Sequence, residues 1–294
     1  MEFHSVDYSH LPVISKYFNE FKEYSCEFSP INMLIWQDYF GFSFCIDEGV
    51  LYSKNCIDSK TTFGIPFAKD MPKAINKLKE YARKNGIPLA LFGGQGERLE
   101  TLTAQMPNAF SLEPIRDSFE YIYNSSDLAN LSGKKYHSKR NHISSFKKKY
   151  NWSYEELNRD NSCDVLRFLS HWYSSYTEKA ADTMEFEKRG IGKILNGPEI
   201  NGMRGGVLRV DGNIIAFSLG CEISPEVFDV NFEKALVEFD GAYAMINQQF
   251  VLNSLKGYKY INREEDMGLE GLRKAKLSYK PEILLEKYIL SLED

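Results

Sequence analysis

One order of elements is written twice along this chain of 294 residues, and that repetition restricts the fold more than any single motif does. In the second half, GVLRVDGNIIAFSLGC (206–221) reads as a hairpin around Asp211 and Gly212, residues that suit a tight turn with positive φ. A strand (227–235), a helix (241–257), a strand (258–266), a helix (269–279) and a closing strand (282–290) follow it. The first half runs in the same order. Its hairpin, FSFCIDEGVLYSKN (42–55), turns at Asp47, Glu48 and Gly49, and is followed by a strand (61–67), a helix (70–86), a strand (88–94), a helix (97–106) and a last strand (118–124). The 70–86 helix carries its own punctuation, with Asp70 as cap, Pro72 near the start and Gly86 beyond the end. Only the order repeats, not the residue identities. The expectation is an α+β fold of two duplicated units, 1–126 and 151–294, with mixed sheets flanked by helices. A helical connector over 127–150 joins them, and two further helices, 163–179 and roughly 182–196, open the second unit.

Charge is unevenly placed. KKYHSKRNHISSFKKK (134–149) holds seven Lys and Arg and no acid, whereas the whole chain carries −5. Without interleaved acids the segment lacks the i,i+4 pairs that support an exposed helix, so phosphate binding explains it better than a solvated connector. Lys134, Lys135, Lys139 and Arg140 are its leading contacts, and Tyr136, Phe146 and Tyr150 offer stacking surface. The five cysteines include no CxxC and the five histidines no HxxxH, which argues against a disulfide framework and against a metal centre. No apolar run approaches the length of a membrane span, and the amino end has neither a basic leader nor an apolar block, so a cytoplasmic protein is expected. GGQGERLE (93–100) lacks the ending of a phosphate loop and reads as a strand-to-helix turn.

Polar residues break the apolar pattern mainly in the second half. In VFDVNFEKA, Phe228, Val230 and Phe232 alternate with Asp229, Asn231 and Glu233, so one face is either a cleft wall or an ordinary solvent face. YKYINREED ends in Asn262, Arg263, Glu264, Glu265 and Asp266, at the end of the strand where α/β sheets usually bind ligands. Adjacent carboxylates raise one another's pKa, which suits one of them to general-base work; the alternative is a solvated turn opening the next helix. Lys276 falls on the stripe with Leu269 and Leu272, where it either snorkels or directs a cation into a cleft. Asn247 shares a helix face with Tyr243, Ile246 and Phe250, and its amide needs partners. The first half shows no comparable set, so the active face is expected in the second.

LSGKKYHSKRNHISSFKKKY, FEKA with EFDGAYAMIN, and YINREEDMGLEGLRKAKLSYKP resemble the DUF2156 family, which includes the carboxyl-terminal domains of phosphatidylglycerol lysyltransferases. The resemblance covers nearly the whole chain. It implies a tandem pair of acetyltransferase-like (GNAT) domains, as in Fem-type aminoacyl transferases. It also implies transfer of an acyl or aminoacyl group from an activated donor, aminoacyl-tRNA or acyl-CoA, to an amine or hydroxyl on a small-molecule, lipid or peptide acceptor. No cofactor is required, coenzyme A entering only as donor. By the resemblance, Lys276 contacts an oxyanion or phosphate; Glu264 and Asp266 are proton-transfer candidates by their place at the strand end. Asn231, Glu233, Asn247 and Arg263 line the donor site, with Asp240, Gly241, Ala242 and Tyr243 at the helix start that meets its phosphate. The sequence departs from the family in two ways. No membrane-embedded amino half is present, and the GNAT pyrophosphate signature Q/RxxGxG/A is missing from 235–245. A binding module for RNA or a phosphorylated ligand on the same fold is the competing expectation.

Overall fold

The computed structural model describes residues 1–57, 60–174 and 181–293. Helices α1 (Leu11–Glu20) and α2 (Pro30–Phe40) precede the hairpin of β1 (Ser43–Asp47) and β2 (Val50–Ile57). Next come β3 (Lys60–Gly64), α3 (Met71–Asn85), β4 (Ala90–Gly94), α4 (Glu97–Gln105), β5 (Phe110–Pro114) and β6 (Glu120–Asn124). The connector folds as α5 (Ser125–Asn130) and α6 (His137–Lys149), leading to β7 (Trp152–Glu156), α7 (Arg159–Ser174) and α8 (Ala181–Asn196). The second hairpin is β8 (Met203–Val210) and β9 (Asn213–Ser224), followed by β10 (Val227–Ala235), α9 (Ala242–Ser254), β11 (Tyr260–Glu265) and α10 (Glu270–Leu277). Strands β12 (Ile283–Leu285) and β13 (Lys287–Leu292) close the described chain. Residues 175–179, the end of the expected 163–179 helix, lie outside the described residues.

Local chemistry explains these elements. Both hairpins turn through two residues of positive φ, Glu48 (48°) with Gly49 (77°) and Asp211 (47°) with Gly212 (82°), the geometry that matches strand twist. Asp70 accepts from the Lys73 amide at 3.1 Å to cap α3, and Gly86 ends it in the left-handed region.

Among the described residues the strands form two mixed sheets flanked by helices, the α+β class expected. One is ordered β1-β2-β3-β4-β13-β5 and the other β12-β6-β11-β10-β9-β8-β7. The sheets exchange strands. The stretch expected as one closing strand, 282–290, divides at Glu286, so that β12 joins the second sheet and β13 inserts between β4 and β5 of the first. Conversely β6, expected to end the first unit, sits between β12 and β11 of the second. Sheet membership therefore does not follow the 1–126 and 151–294 division. Alternation specifies which face of a strand is buried but not its partner, which is set by long-range packing. Helices α1 and α2, for which the sequence carries no expectation, pack on the second sheet in a core with α7 and α8 that includes Ile14, Ile31, Trp172 and Phe217. Its opposite face is covered by α5, α6 and α9 through Tyr136, Phe146, Phe250 and neighbours, and α3 and α4 cover the first sheet.

One buried cation ties the sheets together. Lys287 of β13 is 1% exposed, and its ammonium lies 2.6 Å from Glu120 of β6 and 2.7 Å from Glu27. The two carboxylates hold the Lys287 pKa above its ordinary value despite burial, and Lys287 in turn draws that of Glu120 down. Removing one member of such a pair leaves the other charged and desolvated. Lys287→Met is expected to lower the unfolding free energy by about 3–5 kcal/mol in urea titration; a loss below about 1 kcal/mol would show that the sheets hold together without it.

Candidate active site

Strand β10 pairs in parallel with β11 only from Val227–Tyr260 to Asp229–Asn262, after which the two diverge. Two irregularities shape the opening. On β10 the pairing with β9 slips between Asp229 and Phe232, and the Asp229 carbonyl approaches β9 so closely that a Cβ on Gly220 would lie 2.0 Å from it. The slip corrects the expected alternation. Phe228 and Val230 face the α9 core while Phe232 turns into the α1–α2 core, and Asp229 and Asn231 are buried rather than wet. On β11 the pairing with β6 is irregular between Asn262 and Glu265, and Glu264 takes a left-handed φ of 58°.

Lys276 holds that distortion in place. Its ammonium donates to the backbone carbonyls of Arg263, Glu264 and Glu265, the Glu264 bond being 3.0 Å. An ammonium has three donors, and all three are engaged. Where an oxyanion or phosphate contact was expected, the ammonium is bonded to the backbone that presents Glu264. Asp266 also differs from expectation as a proton-transfer group. It accepts two bonds from Arg273 at 2.8 Å, one from the Tyr121 hydroxyl at 2.5 Å and one from the Gly268 amide at 3.0 Å. Burial opposes this, but the donors hold its carboxyl far below the usual carboxylate range. It anchors the turn into α10.

Three carboxyls meet beneath the amino end of α2. Asn231 donates to Asp229 at 2.7 Å, to the Ser29 hydroxyl at 3.0 Å and to Glu264 at 3.4 Å, while Asn32 donates to Glu264 at 2.7 Å. Cys26 lies against Glu265, its thiol 3.8 Å from the carboxyl. The Asp229 Oδ1 and Asn32 Oδ1 atoms are buried with no hydrogen-bond partner among the described residues. Burial first, then the neighbouring carboxyls, raise the pKa of all three acids, Glu264 to about 8. The Cys26 thiol is pushed up for the same reasons, so it is no thiolate nucleophile. Half of this chamber comes from the first half of the chain, contrary to expectation: Ser25, Ser29, Asn32 and Glu120 reach it from the α2 segment and β6. Asp229 was visible as a polar break in its strand; Asn32 and Glu120 carry no sequence signal.

The opposite face of the sheet holds the rest. Glu233 binds Arg263 through one oxygen at 2.8 Å and Asn247 through the other at 3.1 Å, so these expected donor-site residues do converge, but away from Asn231. Lys139 lies beside them, 3.9 Å above the Tyr279 ring. At the start of α9, Gly241 has φ 85°, and a Cβ there would meet the His142 carbonyl at 2.7 Å, because α6 packs directly against it. Ala242 is buried, Tyr243 partly exposed, and Asp240 stands 3.8 Å from His142. Of the basic run, Lys135 pairs with Asp127 at 2.9 Å, and Arg140 donates to the carbonyls of Leu131 and Gly133. Lys134, Lys147, Lys148 and Lys149 are exposed. Tyr136 and Phe146 are core residues rather than stacking surface, and Tyr150 packs between Phe146 and Phe239.

A splayed parallel pair with a helix amino end beside it, within two mixed sheets, agrees with the tandem GNAT-like fold that the sequence resemblance implies. The chain belongs to the phosphatidylglycerol lysyltransferase, C-terminal family, whose profile matches residues 18–291. It is similar over its full length and that of its counterpart to a conserved protein of unknown function from Bacteroides thetaiotaomicron, at 34% identity and a TM-score of 0.94. The L-PGS of Bacillus licheniformis matches 98% of this chain and 92% of its own at 14% identity and a TM-score of 0.66. FemX matches 100% and 98% at 8% identity and a TM-score of 0.61, which shows the shared fold. Among the described residues no helix is long and apolar enough to cross a membrane.

The chamber has a thermodynamic signature. A carboxyl whose folded pKa is raised binds its proton more tightly in the folded state, so its contribution is favourable at low pH and is lost as pH rises from the unfolded value, 4.5, toward about 8. Glu264→Gln cannot ionise, and its stability relative to the parent is expected to improve steadily between pH 5 and 8 in paired denaturant titrations. A difference independent of pH would remove Glu264 from the titrating set.

Proposed function

We propose that this chain is an aminoacyltransferase that moves a cationic aminoacyl group from aminoacyl-tRNA to an amine or hydroxyl acceptor. The observation that carries this reading is the buried chamber of Asp229, Glu264 and Glu265. Its carboxyls raise one another's pKa, and the Lys276 ammonium, which offsets this only in part, gives its hydrogen bonds to backbone carbonyls and none to the carboxyls. Such a chamber is short of positive charge. An ammonium from the aminoacyl group supplies it, with the unpartnered Asp229 Oδ1 and Asn32 Oδ1 as acceptors.

In this reaction the acceptor nitrogen or oxygen attacks the ester carbonyl and forms the new amide or ester bond. Glu264, raised to about 8, takes the nucleophile's proton, and that proton passes to the ribose oxygen as the old ester bond breaks. Lys276 contributes by fixing the backbone that aims Glu264, and the sheet opening holds the two substrates together.

Three features favour tRNA over coenzyme A as donor. The pyrophosphate signature is missing; Glu238 and Asp240 put carboxylates just before α9, where a pyrophosphate would sit; and exposed lysines line α6.

Radiolabelled lysyl-tRNA, incubated with a panel of amines, hydroxyl compounds and phosphatidylglycerol vesicles, tests the reading. Transfer is expected to rise with pH through about 8. It should fall at least about tenfold in Asp229→Asn and about a hundredfold in Glu264→Gln, with melting temperatures unchanged or raised. Full activity in well-folded Glu264→Gln would exclude it as the base.

A further inference from the structure

Lys139 holds its ammonium against the Tyr279 ring and, among the described residues, pairs it with no carboxylate. It is half-buried on α6, and among the described residues its ammonium makes no hydrogen bond and no ion pair. Burial and the neighbouring Arg263 both lower its pKa, while Glu233 opposes them weakly. Arg263 flanks the same ring, its guanidinium 5.0 Å from the Tyr279 centroid where the Lys139 ammonium is at 3.9 Å. One side of that guanidinium is bound to Glu233, but its Nη1 is buried without a partner. Two cations thus share one aromatic ring and one carboxylate, leaving positive charge and two unused donor groups in a partly desolvated place. Charges in such surroundings are costly unless something pairs them. The exposed Lys147, Lys148 and Lys149 lie farther along the same helix, so a polyanion approaching α6 meets positive charge before it reaches this point.

We propose that Lys139 and Arg263, both against the Tyr279 ring, form a phosphate-binding subsite on the α6–α9 face, opposite the carboxyl chamber. Its ligand is a phosphate group of the donor. In the reading above, which this inference rests on, that is a phosphodiester near the aminoacylated end of tRNA. Lys139 supplies a point charge and Arg263 a planar fork, and both charged groups lie against the Tyr279 ring. Lys135 and Arg140 do not belong to the subsite, since Asp127 and backbone carbonyls already engage them.

The test is titration of the full chain with deacylated tRNA, inorganic pyrophosphate and coenzyme A, comparing Lys139→Gln, Lys139→Arg and a control, Lys79→Gln, an exposed lysine on α3. Lys139→Gln is expected to weaken tRNA and pyrophosphate binding about tenfold, to make the log-log salt slope for tRNA shallower by about 0.7–0.9, and to keep or raise the melting temperature. Lys139→Arg should retain affinity, and the control should change nothing. Equal binding of tRNA and pyrophosphate by Lys139→Gln and the control overturns the subsite while leaving the aminoacyl-tRNA reading in place. Pyrophosphate and coenzyme A binding that depends on Lys139, with no tRNA binding by the parent, upholds the subsite and overturns that reading. A lower melting temperature in Lys139→Gln would make Lys139 a structural residue and count against the proposal.

Discussion

The buried ammonium of Lys287 is the contact on which the rest of the architecture depends. It belongs to the strand that the end of the chain returns to the first sheet, and its carboxylate partner Glu120 belongs to the strand that the first half lends to the second. Each sheet is therefore completed by the other half's chain, and one ion pair joins the two exchanges. Glu120 also accepts from Ser25, the Cys26 amide and Asn262. That carboxylate thereby sets the position of the segment leading into α2, and with it Ser29 and Asn32, the residues that face the chamber.

From that anchor the site follows as a matter of charge compensation. Glu120 is bonded directly to its counter-charge and its pKa falls; for Asp229, Glu264 and Glu265 burial and the neighbouring carboxyls prevail, over the pull of Lys276 on the two glutamates, and their pKa values rise. Lys276 offsets part of that rise, but its three donors are directed to the carbonyls of residues 263–265, at the irregularity of β11. One cation thus stabilises a distorted backbone at the expense of the acids beside it. Across the sheet the imbalance has the opposite sign, with Lys139 and Arg263 outnumbering Glu233. The two faces of the β10–β11 opening are electrostatically distinct, one suited to an ammonium and the other to an anion.

The local elements were largely legible because their signals are short-range. Turn chemistry at Glu48–Gly49 and Asp211–Gly212, the cap at Asp70 and the stop at Gly86 depend only on neighbouring residues, and each forms as read. The polar breaks at Asp229, Asn231, Glu233 and 262–266 lie on or immediately after the two strands that diverge beside the buried carboxyls. Their grouping was not legible. One extra residue at the β10 bulge turns Glu233 and Asn231 to opposite faces, and strict alternation contains no sign of a bulge. Asp266 and Lys276 stood out for their polarity, but their roles depended on partners far away in sequence, Tyr121 for one and the β11 carbonyls for the other.

By itself, then, the sequence determined the class of fold, the duplicated order, the basic connector and the two strands that carry the polar breaks, because each rests on periodicity or on a contiguous motif. Only the tertiary structure decided which strands complete which sheet, that the first half supplies Asn32 and Glu120 to the site, and which charged groups are compensated. Those outcomes depend on pairing between residues as far apart as Ser25 and Lys287. A carboxyl's protonation is set by what surrounds it in space, and no local pattern of residue types encodes that.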